Sequence, residues 1–293
     1  MNFAVGLPAY NEENNIASLI IKLKQITKTI IVCDDGSSDL TSKIASELGA
    51  IVIVHKKNIG YGGAIASLFT KAREIGVDVL ITFDADGQHR IQDINLVLEP
   101  ILKDKADIVI GSRFLNEVDD VPKYRKFGIK TITVLTNAIS GSNITDAQSG
   151  FRAYNKKALE RIVPSDAGMG VSTEILIKAA NNKLRITEIP ITILYEGDTS
   201  THNPVSHGAS VVLSTVKFVA LERPLTFYGI PGMIFLVIGL FFVGWTLQNY
   251  ATSREIITNV TLIGTGCTIL GVLLLMTSSI LYSMINIIRE IKK

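Results

Sequence analysis

Residues 80–89 hold the side chains of this chain with the clearest capacity for chemistry. A predicted buried strand ends at Phe83, and oxygen-bearing side chains follow at alternate positions, Asp84, Asp86 and Gln88. Oxygen donors at the mouth of a sheet suit a hard cation such as Mg2+ or Mn2+, which keeps coordination positions open for phosphate oxygens and water. An acidic turn explains the same spacing about as well, because Asp and Gly cluster in turns for conformational reasons.

The elements that must position these side chains alternate between strands and helices over the first two-thirds of the chain. Apolar periodicity predicts strands at residues 3–7, 29–33, 51–54, 77–83 and 108–111. It predicts helices at residues 12–26, 40–48, 63–75, 91–102 and 174–180. Such alternation predicts an α/β domain with a mainly parallel sheet that is covered on both faces.

Polar residues follow the carboxyl end of every predicted strand, which is the edge where ligands bind in sheets of this kind. The runs are PAYNEE at 8–13, DDGS at 34–37, HKKNIG at 55–60, DAD at 84–86 and GSR at 111–113. A sheet that served only as a core would show no such bias, so the sequence predicts a binding cleft at this edge. The first turn is not GxGxxG, which removes the main sequence argument for a dinucleotide-binding oxidoreductase.

The composition excludes some classes of function. A net charge of +2 over 293 residues argues against a protein that wraps nucleic acid, since such a protein needs a concentrated basic face. Of the two cysteines, Cys33 lies beside a predicted strand end and Cys267 in an apolar run, so both are predicted to be free thiols. A catalytic thiol at Cys33 is disfavoured, because no histidine lies nearby in the sequence and a small buried residue is the commoner explanation.

Two apolar runs dominate the end of the sequence, at residues 227–247 and 260–285. Each holds at least about twenty mostly apolar residues, enough for a helix to cross roughly 30 Å of hydrocarbon. Basic residues flank the outer ends of the two runs at Lys217, Arg223, Arg289, Lys292 and Lys293. The positive-inside rule therefore predicts an integral membrane protein whose α/β domain and both termini are cytoplasmic.

Six motifs occur in the order expected of glycosyltransferase family 2, namely PAYNEE, DDGSSD, NIGYGGA, DADGQH, GSRF and TDAQSGFRAYN. The set covers roughly residues 2–194 and most resembles dolichol-phosphate mannose synthases and related polyprenyl-phosphate glycosyltransferases. One DxD is weak evidence, but six motifs in register make the acidic-turn explanation of Asp84 and Asp86 the minor one. The resemblance implies a GT-A fold, a nucleotide-sugar donor, a dolichyl or polyprenyl phosphate acceptor, and Mg2+ or Mn2+ as cofactor.

The resemblance and the apolar runs together predict three segments. Residues 1–208 form a GT-A glycosyltransferase domain, residues 209–224 a juxtamembrane interfacial helix, and residues 225–293 a two-helix transmembrane anchor. The middle segment is mostly apolar and is broken at Arg223 and Pro224, as in a helix that docks a domain on a bilayer. The chain opens directly with a predicted strand, so no cleavable signal is expected.

The resemblance also implies roles for particular residues. The residues lining the nucleotide site would be Pro8, Tyr10, Glu12 and Asp35, with Asp35 bonded to the base or ribose. The cation would be held by Asp84, Asp86 and Gln88. The residues acting in catalysis would be Asp86, Arg113, Arg125 and Asp146. Further substrate contacts are expected at Asn58, Gly60, Asp84, Ser149, Arg152, Glu174 and His207.

Among these residues, the two arginines would grip phosphate, with Arg125 on the lipid phosphate. A planar guanidinium suits that task because it forms paired hydrogen bonds with phosphate. Asp146 would position the acceptor or give modest base assistance. Two other residues keep structural explanations of equal weight, since Arg152 is explained by packing and Glu174 by helix capping at Ser172 or Thr173.

The implied reaction is a single displacement that inverts the anomeric carbon. Breaking the bond between sugar and diphosphate leaves negative charge on the nucleoside diphosphate, which a bridging cation stabilises as a Lewis acid. A lipid phosphate is already anionic near neutral pH, because the second pKa of a monoester is about 6, so no strong base is needed. An α-linked donor would then give a β-linked product.

Residues 195–208 depart from the pattern of the resembling synthases. His202, Ser206 and His207 stand where relatives tend to have a loop with Arg and a Ser-Lys pair. GDP-mannose, UDP-glucose and UDP-N-acetylglucosamine therefore all stay open as donors. A processive polysaccharide synthase is an alternative function, but the chain lacks QxxRW and has few spans. A catalytically silent membrane protein is a third hypothesis, against which the intact DADGQH and GSRF motifs argue.

Overall fold

The computed structural model describes residues 2–85, 87, 89–115, 123–192, 220 and 224–291. The chain divides into two compact units, Met1–Thr215 and Val216–Lys293. Within the described residues, the first unit is built on a sheet and the second consists of helices. The predicted interfacial helix at 209–224 lies outside the described residues except for Ala220 and Pro224.

One sheet of seven strands organises the first unit among the residues that the structure describes. The strands are β1 (Phe3–Ala9), β2 (Thr29–Asp34), β3 (Ile51–Val54), β4 (Val79–Thr82), β5 (Ile108–Ser112), β6 (Arg152–Asn155) and β7 (Ile186–Pro190). Their order across the sheet is β3-β2-β1-β4-β6-β5-β7. Neighbouring strands are parallel, except that β6 runs antiparallel to both β4 and β5. The strand β6 therefore returns the chain to the middle of an otherwise parallel sheet.

Helices cover both faces of this sheet. They are α1 (Glu13–Leu23), α2 (Thr41–Glu47), α3 (Tyr61–Glu74), α4 (Asp93–Leu102), α5 (Lys123–Ser140), α6 (Lys156–Arg161) and α7 (Val171–Asn181). Successive strand residues point to opposite faces, so Ala4 and Leu80 pack with α3, α6 and α7, whereas Val5 and Ile81 pack with α1 and α4. Both faces are apolar because both are buried, which confirms the predicted α/β class with a mainly parallel sheet.

Every strand and helix predicted from periodicity is present, with ends that differ by at most three residues. The helix α3 begins at Tyr61, earlier than predicted, because a contact across the fold stabilises its glycine-rich first turn. The N–H groups of Gly62 and Gly63 donate to the carbonyl of Ala167 at 2.9 and 3.3 Å. The sequence analysis did not predict α5, α6, β6 or β7, and the two strands are short and carry polar residues among their apolar ones.

The second unit contains two long apolar helices, Ile230–Ser253 and Thr258–Ile291, preceded by a π-helical turn at Leu225–Gly229. The segments Leu225–Ser253 and Thr258–Ile285 are long and apolar enough to cross a membrane, with mean hydropathies of 2.2 and 2.0.

Glycines allow these two helices to pack closely. A Cβ placed on Gly271 would lie 2.6 Å from the backbone nitrogen of Leu236, and one on Gly264 would lie 2.9 Å from Cβ of Phe242. A larger side chain at either position would push the helices apart, so the pair forms a helical hairpin with a glycine-dependent contact.

Candidate active site

The loops that follow β1 and β2 are joined by hydrogen bonds at the carboxyl edge of the sheet. Asn11 adopts a left-handed conformation with φ of 57°, and its N–H donates to Ser37 Oγ at 2.9 Å. Its Oδ1 accepts from the N–H of Ser38, also at 2.9 Å. Of the residues predicted at the nucleotide, Pro8 lies near the end of β1 and Tyr10 begins the loop after it, where 42% of Tyr10 is exposed. Tyr10 therefore offers an aromatic surface at the edge where a base is expected.

Glu12, in the loop after β1, interacts electrostatically with the carboxylates of neighbouring loops. Its N–H donates to Thr41 Oγ1 at 2.8 Å, and its Oε2 accepts from Asn15 Nδ2 at 2.9 Å. Burial raises the pKa of Glu12, and the charges of Asp39 and Asp84 add to the rise against the lowering effect of the Asn15 hydrogen bond. The loop after β1 and the loop after β4 are thus close enough to share an electrostatic field.

Asp35 is buried and holds the loop that follows β3. Its Oδ1 lies 2.7 Å from His55 Nδ1 and accepts from the N–H of Ile59 at 3.0 Å, and its Oδ2 accepts from the N–H of Gly60 at 2.8 Å. This loop carries Asn58, which is exposed. Both oxygens of Asp35 therefore already have partners within the protein, and its contact with a base or ribose stays a prediction.

Cys33 has a histidine neighbour that the sequence did not reveal. His55 Nε2 lies 3.5 Å from Cys33 Sγ and 2.8 Å from Ser67 Oγ. Burial raises the pKa of Cys33 to about 12, with the charge of Asp35 contributing. No histidine is near Cys33 in the sequence, but the fold brings His55 to it across 22 residues. The conclusion that Cys33 is not a nucleophile stands, because its thiol is buried and protonated.

Asp84 follows β4 and lies at the centre of the edge. Its Oδ1 accepts from the hydroxyl of Tyr61 at 3.3 Å, and its Oδ2 lies 3.2 Å from His89 Nε2. Burial raises the pKa of Asp84, but the hydrogen bond with His89 and the charge of Arg113 outweigh that effect and lower it below its ordinary value. A Cβ on Gly150 would lie 2.6 Å from both carboxylate oxygens, so only glycine leaves this carboxylate room.

This carboxylate fits a divalent cation in charge and in exposure. Asp84 is ionised, and 30% of its side chain is exposed at the end of a strand. Hard cations take such oxygen ligands. The other two predicted ligands, Asp86 and Gln88, lie outside the described residues. Among the residues that are described, no three His, Cys, Asp or Glu side chains are grouped as a metal site. The complete ligand set therefore stays a prediction.

Arg113 and Asp146, both predicted to act in catalysis, are in direct contact. The guanidinium of Arg113 donates to the fully buried carboxylate of Asp146 through Nε at 2.6 Å and through Nη2 at 2.8 Å. Burial raises the pKa of Asp146, but the charge and hydrogen bonds of Arg113 outweigh it and lower the pKa. An ionised carboxylate held in this way is a weak base.

Arg152 is buried beneath the loop that carries Asp146. It donates from Nε to the carbonyl of Ser149 at 2.8 Å, from Nη1 to that of Ser172 at 3.0 Å, and from Nη2 to that of Ala147 at 2.7 Å. Ser149 is buried as well. These contacts agree with the structural explanation of Arg152, because its hydrogen bonds tie the loop before β6 to the start of α7.

Glu174 is fully buried and organises the loop that precedes α7. Its carboxylate accepts from the N–H of Ser165 at 2.9 Å, from the N–H of Asp166 at 2.8 Å and from Lys178 Nζ at 2.5 Å. Burial raises the pKa of Glu174, but these hydrogen bonds outweigh it and lower the pKa. Helix capping by Ser172 or Thr173 does not explain Glu174, because Gly170 is the N-cap and makes no side-chain bond.

The loop that Glu174 holds packs closely against Gly60, which is one of the predicted substrate contacts. The carbonyl of Ala167 accepts from Gly62 and Gly63 at the start of α3, and a Cβ on Gly60 would overlap that same carbonyl. Gly60 also has a φ of 100°, which L side chains rarely adopt. The first turn of α3 carries Tyr61, so Glu174 acts on the surroundings of Asp84 through this loop.

Two further predicted residues, besides Asp86 and Gln88, have no described side chain. Arg125 lies in α5, but its side chain is outside the described part of the chain, and His207 lies outside it altogether. Tyr61 and Glu188 were not predicted as site residues. Tyr61 is part of the NIGYGGA motif, so the motif could have identified it. Glu188 accepts hydrogen bonds from the backbone N–H groups of Thr145 and Asp146, and its only signal in the sequence is its position between apolar residues in the stretch ITEIP.

Comparisons with known proteins show the family to which the chain is similar. The model of the family described as Glycosyl transferase family 2 matches residues 4–163. The chain is 36% identical over 237 residues to a UDP-N-acetylglucosamine–dolichyl-phosphate N-acetylglucosaminyltransferase of Methanococcus voltae, covering 73% of this chain and 92% of that one. It is 30% identical to a dolichyl-phosphate hexose transferase of Haloferax volcanii, covering 76% and 96% of the two chains.

A solved structure shares the fold at lower identity. Glucosyl-3-phosphoglycerate synthase from Mycobacterium tuberculosis, in complex with Mn2+, uridine diphosphate and phosphoglyceric acid, is similar with a TM-score of 0.57 at 18% identity. The similarity covers 74% of this chain and 78% of that one, which supports the GT-A fold class. With the family model spanning more than half of the sequence and both archaeal relatives aligned along nearly their full lengths, the chain belongs to glycosyl transferase family 2.

Proposed function

We propose that this glycosyltransferase moves a single sugar from a nucleotide-sugar donor to dolichyl or polyprenyl phosphate, with inversion at the anomeric carbon. The observation that carries the proposal is the pairing of Arg113 with Asp146 on the same sheet edge as the ionised Asp84. In this proposal the Asp84 carboxylate would contact a cation and the Arg113 guanidinium would contact phosphate, which are the two charges that the reaction requires. Relatives named for dolichyl phosphate support the acceptor.

The donor would bind across the loops after β1, β2 and β4. Pro8, Tyr10, Glu12 and Asp35 would surround the nucleoside, with Asn58 and Gly60 beside it. Asp84, with Asp86 and Gln88, would hold Mg2+ or Mn2+. The cation would supply Lewis-acid stabilisation of the charge that develops on the departing diphosphate. The Mn2+ and uridine diphosphate in a protein of the same fold support this assignment.

The acceptor phosphate would be oriented by arginine. A monoester phosphate is already anionic near neutral pH, since its second pKa is about 6, and it needs orientation more than deprotonation. Arg113 offers a planar guanidinium whose direction is fixed by Asp146, and Arg125 in α5 is proposed as the second phosphate contact. The lowered pKa of Asp146 supports a positioning role rather than proton abstraction.

The acceptor is a lipid, and the second unit offers a means to reach it. We assign residues 225–293 to a two-helix membrane anchor, 209–224 to an interfacial helix and 1–208 to a catalytic domain in the cytoplasm. The length and hydropathy of the two helices support the anchor. The basic residues that flank the helices in the sequence support cytoplasmic termini.

The donor sugar is proposed from the relatives. We rank UDP-N-acetylglucosamine first among the three donors, because the Methanococcus voltae relative aligns at 36% identity over 92% of its length. A hexose donor ranks next, supported by the Haloferax volcanii relative at 30% identity.

A transfer assay tests this proposal. Membranes that contain the protein are given dolichyl phosphate, Mg2+ or Mn2+, and labelled UDP-N-acetylglucosamine, UDP-glucose or GDP-mannose in turn. We expect one donor to yield a lipid that carries a single sugar, and Asp86→Ala to abolish the product because a cation ligand is lost. Asp78→Ala, at the opposite end of β4, is the matched control and should retain transfer.

Each alternative function has its own outcome in this assay. A long polymer in place of a single-sugar lipid would indicate a processive synthase. No product from any donor would indicate a protein that binds sugar nucleotides without catalysis. Full activity in Asp86→Ala would remove the cation site from the proposal.

A further inference from the structure

Glu188 lies in the middle of β7 and reaches the loop that carries Asp146. It is paired in register with Ile110 of β5. The N–H of Thr145 donates to its Oε2 at 2.8 Å, and the N–H of Asp146 donates to its Oε1 at 3.0 Å. A carboxylate can accept two neighbouring N–H groups in this way because it presents two acceptor oxygens and no donor. Glutamate is depleted in strands, so the strand itself gives no reason for this residue.

The loop from Ile144 to Gln148 is held by side chains throughout. Its five successive N–H groups donate to side-chain oxygens of Asn137, Glu188 twice, Thr133 and Asp146, in chain order. Asn137 and Thr133 belong to α5, whereas Glu188 comes from β7. A loop without regular structure would otherwise leave these groups unpaired in a buried region. Glu188 supplies two of the five acceptors.

Glu188 accepts hydrogen bonds from the N–H groups of two residues that themselves contact the end of β5. Asp146 holds the guanidinium of Arg113 at 2.6 and 2.8 Å. Thr145 Oγ1 lies 2.6 Å from Ser112 Oγ. Any shift of this backbone segment therefore moves the carboxylate that sets the direction of Arg113. An active-site group displaced by about 1 Å can lower a rate by about a hundredfold.

We propose that Glu188 is a positioning residue for glycosyl transfer. By accepting the N–H groups of Thr145 and Asp146, it fixes the Asp146 carboxylate in the orientation that holds Arg113 towards the phosphate. The inference rests on the proposed function, which places Arg113 at phosphate. It adds the third residue of β7, which no motif identified. Glu188 acts through Asp146 and does not touch the substrate.

The test compares two carboxylate-to-amide changes, one in the middle of the β5–β7 pair and one at its amino end. Glu188→Gln keeps the size of the side chain but replaces one acceptor oxygen with an NH2 group, which faces an N–H and cannot accept from it. Asp107→Asn makes the same chemical change at the amino end, where Asp107 accepts from the N–H of Arg185 at 2.8 Å. Both changes remove a hydrogen bond, but only the first lies at the candidate active site.

Turnover is measured on the full-length protein in bilayers with dolichyl phosphate and whichever donor of the three the wild type uses. We expect Glu188→Gln to lower kcat by about tenfold or more, while KM for the nucleotide sugar stays within about twofold, since the loops after β1 and β2 are unchanged. Asp107→Asn should lower the melting temperature and keep the wild-type kcat per folded molecule. Wild-type kcat in Glu188→Gln, or an equal loss in both variants, would overturn the inference.

Hydrogen exchange gives a second readout that does not depend on transfer. In Glu188→Gln, peptides that cover Thr145 and Asp146 should exchange faster than in the wild type, while those that cover β1 and β2 should not change. If the wild type transfers no sugar at all, the proposed function fails on its own, and the exchange measurement still decides whether Glu188 orders the loop. Unchanged exchange at these residues would overturn the inference.

Discussion

The contact between Asp146 and Arg113 determines how each of the two residues can act. Asp146 is fully buried and 12% of the Arg113 side chain is exposed. Water therefore solvates neither charge well, and each charge is stabilised by the other. A buried ion pair of this kind contributes little net stability as a whole, but losing one partner strands the other charge. The pair is therefore one functional unit whose members should not be substituted independently.

A double-mutant cycle tests that coupling. We expect Asp146→Asn and Arg113→Gln each to lower the free energy of unfolding by about 3 kcal/mol, because each leaves one buried charge without its partner. The double variant should lose less than the sum, because no charge is left alone. Chemical unfolding of the purified protein in detergent measures all three values. Losses that add to within about 0.5 kcal/mol would contradict the coupling.

Sequence reasoning found these residues but not their pairing. Asp84, Arg113 and Asp146 entered the candidate list because polar residues follow strands and match family motifs. The contact between Asp146 and Arg113 depends on the return of the chain into the sheet as β6, an antiparallel strand of four residues whose amino end lies at the carboxyl edge. No periodicity in the sequence specifies that return. The burial of Arg152 on three carbonyls is hidden for the same reason, since its partners are set by the folded loop.

The amino ends of β5 and β7 and the carboxyl end of the antiparallel β6 are joined by a second buried carboxylate, Asp107. It accepts from the N–H of Arg185 at 2.8 Å, from Asn155 Nδ2 at 3.0 Å and from Lys157 Nζ at 3.2 Å. Burial raises the pKa of Asp107, but the hydrogen bonds from these partners outweigh it and hold the pKa well below the ordinary range. This end of the sheet is opposite to the candidate active site, so its polar residues are explained by stability alone.

The stability that Asp107 contributes should depend on pH. We expect Asp107→Asn to lower the free energy of unfolding by about 2 kcal/mol at pH 7, because a buried acceptor of several hydrogen bonds is lost. Since the pKa of Asp107 is lowered by folding, its contribution is complete above the unfolded value of about 3.9 and is lost as the pH falls through the folded value.

The measurement is urea unfolding of the wild type and Asp107→Asn between pH 7 and pH 3. The difference between the two proteins should stay constant down to about pH 4 and shrink below it. Glu160→Gln, an exposed change on α6, is the control and should show no such trend. A difference that grows as the pH falls would contradict the assigned direction of the pKa.

Elements were easier to predict from the sequence than their exact ends. Long apolar periods in α1 and α4 identified those helices, whereas the start of α3 at Tyr61 depends on the carbonyl of Ala167, which accepts from the first turn of α3 and is distant in sequence. The short strand β7 combines an acidic residue with a proline, and only its pairing with β5 makes it a strand. Tertiary contacts therefore decide β7 and the start of α3, whereas local pattern decides α1 and α4.

The whole molecule combines two units of different chemistry. The first unit has an apolar sheet whose carboxyl edge carries charged and hydrogen-bonded side chains. The second exposes most of its large apolar side chains, including Leu240, Phe241 and Leu262, as expected of the membrane anchor that we propose. The proposed donor is dissolved in water and the proposed acceptor is a lipid, so the proposed reaction would benefit from one unit in each phase.

Truncation after Glu222 tests that division of labour. The remaining chain keeps the compact first unit, Met1–Thr215, so we expect the Kd for UDP-N-acetylglucosamine or the active donor to stay within about threefold of the wild type by calorimetry. Transfer to dolichyl phosphate in vesicles should fall about tenfold or more, because the anchor no longer raises the local concentration of enzyme at the acceptor. Transfer to a short, water-soluble isoprenyl phosphate should be retained, which controls for damage to the catalytic unit. Equal transfer to the vesicle acceptor with and without the two helices would show that they are dispensable for reaching the lipid.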